Sequence, residues 1–115
     1  MRSYIDKESN KMIFVIDDDA DHFESFGKSV EYLKNKYQIK IIEYYPGGWN
    51  ISYLKFEIDD IYMKLSFTDY FGGTDLQVDA NLKERELEKA HKLADEIYNE
   101  IHKNKTEGDQ SMFVT

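Results

Sequence analysis

Between Tyr37 and Val78 the chain leaves no room for a helix. Four runs, "YQIKIIEYY", "ISYLKFEI", "IYMKLSFT" and "TDLQVD", are separated only by "PGGWN", "DD" and "DYFGG". Parallel strands need crossovers of a dozen or more residues, whereas antiparallel strands close through two-residue turns, so this stretch reads as an antiparallel meander. In its central hairpin, joined at Asp59-Asp60, the residues alternate. Leu54, Phe56, Ile58, Ile61, Met63, Leu65 and Phe67 share one face, and Tyr53, Lys55, Glu57, Tyr62, Lys64 and Ser66 share the other. Such alternation marks a sheet packed on one side and open on the other. The open face is tyrosine-rich (Tyr44, Tyr53, Tyr62), and "TDLQVD" reads as a short edge strand with Leu76 and Val78 inward.

Two helical patterns flank this region. From Ala20 to about Lys36, Phe23, Phe26, Val30 and Leu33 fall three and four apart on one stripe, with Asp18 or Asp19 expected as N-cap. The second helix carries Leu87, Ala90, Ala94, Ile97 and Ile101 as its stripe, with Asn81 as cap and Glu84 reaching back. The short apolar run "MIFVI" precedes the first helix, so the order is β-α-β-β-β-β-α, and its β-α-β opening predicts a parallel strand pair. Two helices cover one face of such a sheet. The expected fold is a two-layer α+β sandwich with a mostly antiparallel sheet of about five strands. The 115 residues suit a single domain, with 1–11 as a loose arm and 104–115 as a frayed tail.

Chemistry is sparse. "MIFVIDDDADHFESF" resembles the opening of a response-regulator receiver domain, where acids at a strand end hold magnesium. That domain also needs a later acid and a lysine at the ends of further parallel strands, and the meander has no place for them. Asp17, Asp18, Asp21 and His22 are candidate Mg²⁺ or Mn²⁺ ligands, but a helix cap, acids at the positive end of the helix dipole and a solvated His22 explain the cluster better, because no further paired ligands converge on it. His91 and His102 lack the spacing of a metal or nucleophile motif, and the glycine pairs are not followed by helices that would bind phosphate. No catalytic residue, metal or cofactor is expected. There is no cysteine, hence no disulfide framework or thiolate site. The N-terminal residues lack a signal-peptide core, and no apolar run is long enough to span a bilayer, so the expected location is cytoplasmic. A net charge of −8 disfavours nucleic acid and anionic membranes as partners and favours basic proteins.

Strand directions sharpen that inference. If the first, second and fourth strands run the same way, the acids after "MIFVI", the "YYPGGWN" turn and "TDYFGGTD" reach one end of the sheet. This gathers Asp17, Asp18, Asp19, Asp21, Asp69 and Asp75 with Tyr45, Trp49, Tyr70 and Phe71. Acids for steering around aromatic anchors describe a protein-binding patch. For any one of these residues, a cap or core role is as good an explanation; the coincidence of three loops of one charge sign is what points to a site.

The segment "DADHFESFGKSVEYLKNKYQIKIIEYYPGGWNISYLKFEIDDIYMKLSFTDYFGG", a helix opening on acids followed by a hairpin and a "YFGG" turn, resembles the small acidic immunity proteins of bacterial toxin systems, especially contact-dependent growth inhibition. It covers about half the chain. The resemblance implies a cognate toxin domain as partner, commonly a basic nuclease, bound so that its active site is occupied or flanked. It also fits a protein that is monomeric when free. The alternatives are a secretion chaperone for a basic effector, which needs an exposed apolar groove, and a small Mg- or Mn-dependent enzyme using the Asp17–His22 cluster. The open tyrosine face and an edge strand near Thr74–Val78 are alternative interfaces.

Overall fold

A computed structural model describes the chain except residues 20, 48, 49, 70, 71 and 115; for residues 104–114 it describes the backbone alone. The fold is α+β, with one six-stranded antiparallel sheet and two helices. In chain order the elements are β1 (Ser3–Asp6), β2 (Lys11–Asp17), α1 (Phe23–Lys36), β3 (Lys40–Tyr45), β4 (Ile51–Ile58), β5 (Ile61–Thr68), β6 (Gly73–Asp79) and α2 (Glu84–Val114). The spatial order is β1-β2-β6-β5-β4-β3.

The middle of the meander forms as its alternation requires. In β4 and β5, Leu54 pairs with Leu65 and Phe56 with Met63, and all four are buried. Asp59 and Asp60 close the hairpin with φ of 51° and 64°, the two positive angles of the tight turn that matches strand twist. Row continues onto row: Leu65 opposes Leu76, and Leu76 opposes Phe14. Across this apolar face lie Phe26, Val30 and Leu33 of α1 and Ala90, Leu93, Ala94, Ile97 and Ile101 of α2. Each large side chain so buried stabilises by roughly 1.5–3 kcal/mol.

Several expectations are corrected. The sheet has six strands because the supposed N-terminal arm contributes β1, whose Ser3–Asp6 pair with Lys11–Phe14. The polar turn between them is held by Asp6, which accepts from the Glu8 amide at 3.1 Å and the Ser9 hydroxyl at 3.0 Å, a local bond that needs no apolar signal. The parallel pair does not form. The strand directions are as expected, but β6 inserts beside β2, and β3 sits at the far edge bonded to β4. The reason is apolar matching: Leu76 and Val78 of β6 oppose Phe14 and Met12, whereas β3 has no comparable buried row. β6 is therefore interior and not the edge strand its length suggested.

Helix ends also differ. The N-cap of α1 is His22, with no side-chain capping bond, so neither Asp18 nor Asp19 caps it. At α2 the reach-back is from Glu86 to the Lys83 amide at 3.2 Å, two residues later than Asn81 and Glu84 would place it. The helical backbone continues to Val114, through the stretch expected to fray. No proline interrupts it. Among the described residues no helix is long and apolar enough to cross a membrane.

Candidate functional site

The two strands β2 and β5 end, and β4 and β6 begin, at the same end of the sheet, where the acidic loops lie. Their contacts are direct. Asp17 opposes Thr74 in the β2–β6 register, and the Asp69 amide donates to the Asn50 carbonyl at 3.2 Å, tying the β5–β6 loop to the start of β4. Gly73, with φ of 95°, lies so close to Asp17 that a Cβ there would overlap the Asp17 carbonyl oxygen. Only glycine lets these two chain segments meet at that separation.

Within the acidic cluster the roles divide. Asp17 is 2% exposed. Its carboxylate accepts from Ser25 Oγ at 2.5 Å, the Asp19 amide at 3.1 Å and His22 Nδ1 at 3.1 Å. Burial pushes its pKa up, but the Ser25 hydroxyl, the Asp19 amide and His22 outweigh that and hold it below the ordinary value. The other ring nitrogen, Nε2, lies 3.3 Å from Asp19 Oδ2, so His22 bridges two carboxylates. Asp19 in turn accepts from the Asp21 amide at 2.9 Å. Asp17 and Asp19 are thus the internal fastening of the loop, and Asp18, Asp21 and Asp69 keep exposed side chains.

The neighbouring Asp17, His22 and Ser25 are the residue types of a nucleophilic triad, but the geometry is that of a fastener. Ser25 and His22 both engage the same carboxylate oxygen, and Ser25 is buried. The serine hydroxyl donates straight to the Asp17 carboxylate, whereas in a triad the carboxylate holds the histidine and the histidine holds the hydroxyl. Among the described residues no group of three or more His, Cys, Asp or Glu side chains is arranged to hold a metal ion.

Of the aromatic anchors expected here, Tyr45 is 49% exposed and its ring lies 5.6 Å from that of Tyr53. Trp49, Tyr70 and Phe71 lie outside the described residues. Two apolar residues that sequence reasoning missed take part instead. Phe23, expected in the α1 core stripe, is 48% exposed, its ring edge-on to Phe67 at 5.1 Å. It opens the helix, one turn short of the packed stripe. Ile51 is 45% exposed at the start of β4, opposite Thr68. Its place directly after the "PGGWN" turn was the available signal.

Asp75 departs from the expected patch. It lies on the open face, opposite Val15 and Ser66, and accepts from Gln77 Nε2 at 2.9 Å. Burial pushes its pKa up to about 6, against the lowering effects of Gln77 and Lys64. A raised folded pKa means that Asp75 favours folding at low pH and loses that contribution as pH rises through about 6. An Asp75→Asn variant should therefore be more stable than wild type at pH 8, by about 1–2 kcal/mol after discounting for partial exposure. The gain should vanish below pH 4, as measured by urea titration across that range. Equal stability of the two proteins at both pH values would contradict this.

The open face also differs in detail. Tyr53 and Tyr62 share it with Tyr45, whereas Tyr44 opposes Leu54 on the helix side. The register of β3 shifts between Ile41 and Glu43, and the extra residue inverts the alternation beyond it. Compared with protein-family models, curated proteins and solved structures, the chain finds no significant match.

Proposed function

We propose that this chain is an immunity protein: a small acidic inhibitor that binds a cognate, basic, nuclease-type toxin domain at or beside its active site in the bacterial cytoplasm. The observation that carries this reading is the composition of one end of the sheet. There the exposed carboxylates of Asp18, Asp21 and Asp69 accompany the exposed apolar side chains of Phe23, Tyr45 and Ile51, on loops tied together by the Gly73–Asp17 approach and the Asp69–Asn50 bond.

Carboxylates arranged in this way present the charge a nuclease expects from phosphates. Complementary charge can raise association to about 10⁸–10⁹ M⁻¹s⁻¹ at low salt. That speed suits a protein that must meet its toxin before the toxin meets nucleic acid. The exposed apolar residues act on the other rate, since buried aromatic anchors govern dissociation. On this reading the chain works by occupancy, and its own residues carry no catalysis.

Calorimetric and stopped-flow binding to the toxin domain encoded beside it tests the proposal. The expected result is a one-to-one complex that weakens with salt. An Asp18→Lys/Asp69→Lys variant should associate at least about tenfold more slowly, and Phe23→Ala should dissociate about tenfold faster. Absence of binding, or affinity indifferent to salt and to all three substitutions, would overturn it.

A further inference from the structure

The sheet ends on one side at β3, and this strand is bare. All six of its residues are exposed, and among the described residues its only strand neighbour is β4. Ile41, Ile42, Tyr44 and Tyr45 are 40–49% exposed, so apolar surface and an unpaired row of backbone amides and carbonyls coincide. The helices pack mainly over β2, β6 and β5. Natural edges are usually shortened or charged to prevent pairing. The opposite edge, β1, follows that rule with only four residues. β3 does not.

The strand's own pattern identifies what fits it. Lys40, Glu43 and Tyr45 oppose Glu57, Lys55 and Tyr53 on the open face, while Ile41 and Tyr44 oppose Phe56 and Leu54 on the helix side. Because Ile42 is the extra residue of the bulge, Lys40 and Tyr45 lie on one face and Ile41 and Tyr44 on the other, each pair evenly spaced about the Ile42–Glu43 bond. A second copy laid antiparallel, with Ile42 opposite Glu43 of the other, therefore sets Ile41 against Tyr44 and Lys40 against Tyr45, like face on like face. Lys40 then lies diagonal to the other copy's Glu43, twice by symmetry, at the spacing at which opposite charges on neighbouring strands attract. The chain's −8 charge is not concentrated here: Lys34, whose Nζ lies 5.7 Å from the Tyr44 ring centre, joins Lys40 and Lys55 against Glu43 and Glu57.

We propose that two copies of the chain pair β3 to β3 about a two-fold axis between Ile42 and Glu43, joining two six-stranded sheets into one continuous sheet. The contact is isologous, as the commonest dimers are. It engages far fewer than the ~20–30 residues a side of a standard interface, so the expected dissociation constant is on the order of 10–100 μM. This dimer does not depend on the toxin-binding reading.

Sedimentation equilibrium from about 1 to about 500 μM brackets that constant. Wild type should pass from monomer to dimer, Ile42→Lys should remain monomeric with an unchanged circular-dichroism spectrum, and Ile5→Lys on the β1 edge should dimerise like wild type. A second readout uses the absence of cysteine from the chain. In the proposed register the two copies of residue 42 have Cα atoms about 6 Å apart, within disulfide reach, so Ile42→Cys should oxidise to a covalent dimer and Ile5→Cys should not. A wild type that stays monomeric throughout, a dimer that persists in Ile42→Lys, or equal cross-linking of Ile42→Cys and Ile5→Cys would overturn the proposal.

Discussion

A Gly73→Ala variant is expected to lose about 3–5 kcal/mol of folding stability, a large part of the roughly 5–15 kcal/mol a domain commonly has. Two costs combine. Gly73 has φ of 95°, where an L side chain is strained by roughly 1–2 kcal/mol. The larger cost is steric: the added methyl would overlap the Asp17 carbonyl oxygen, and that obstacle is backbone, with no rotamer to yield. Relief requires β6 to move away from β2 where Asp17 opposes Thr74, at the end of their register. Urea titration should give a lower midpoint with the slope preserved. Gly72→Ala is the comparison. Its φ is 84° and its Cβ would lie 2.9 Å from the Asp18 carbonyl oxygen, a tight contact in place of an overlap, so about 1–2 kcal/mol is expected. A loss at Gly73 no greater than at Gly72 would refute the close approach.

Removing the Asp17 carboxylate should cost about 2–4 kcal/mol, because an Asp17→Ala variant strands the Ser25 hydroxyl and the Asp19 amide in a buried or half-buried setting and takes away one partner of His22. Stranded donors cost more than the bonds gained, so the effect exceeds that of an exposed acid such as Asp18. The pH dependence has a definite sign. Asp17 has a folded pKa below its ordinary 3.8, so its contribution is fully present above that value and is lost as pH falls through the folded pKa. The stability gap between wild type and Asp17→Ala should therefore be constant from pH 5 to 8 and shrink only in stronger acid. That is opposite to Asp75, whose contribution is lost as pH rises. A gap that narrows between pH 8 and 5 would contradict the assignment.

The same residues explain what the sequence made legible. The β4–β5 hairpin could be read because the side-chain period of two and the Asp59-Asp60 turn are local signals that agree with burial. The common end of the strands followed from strand directions alone, and those survive whichever strands are neighbours. Neighbour choice was not legible. It depends on apolar rows matching across 60 residues of chain, as Leu76 matches Phe14, and a β-α-β order carries no trace of that competition. β1 was hidden because its turn is fastened by one aspartate and not by hydrophobic pattern. The bulge at Ile42 has no sequence signature, yet it moves Tyr45 onto the open face and Tyr44 off it. In the acidic cluster, sequence supplied the residues but could not tell the buried Asp17 from the exposed Asp18 beside it. That distinction arises from Ser25 and His22 reaching back across a turn.

The most direct test of the central claim is an amide NMR footprint of the chain on titration with the basic toxin domain encoded beside it. If the acidic end of the sheet is the binding surface, perturbed amides will cluster at Asp18, Asp21, Phe23, Ile51 and Asp69, and those of Tyr62, Lys64 and the exposed side of α2 will stay in place. Perturbations confined to Tyr53, Tyr62 and Lys64, with the acidic loops unmoved, would contradict it and transfer the interface to the open face of the sheet.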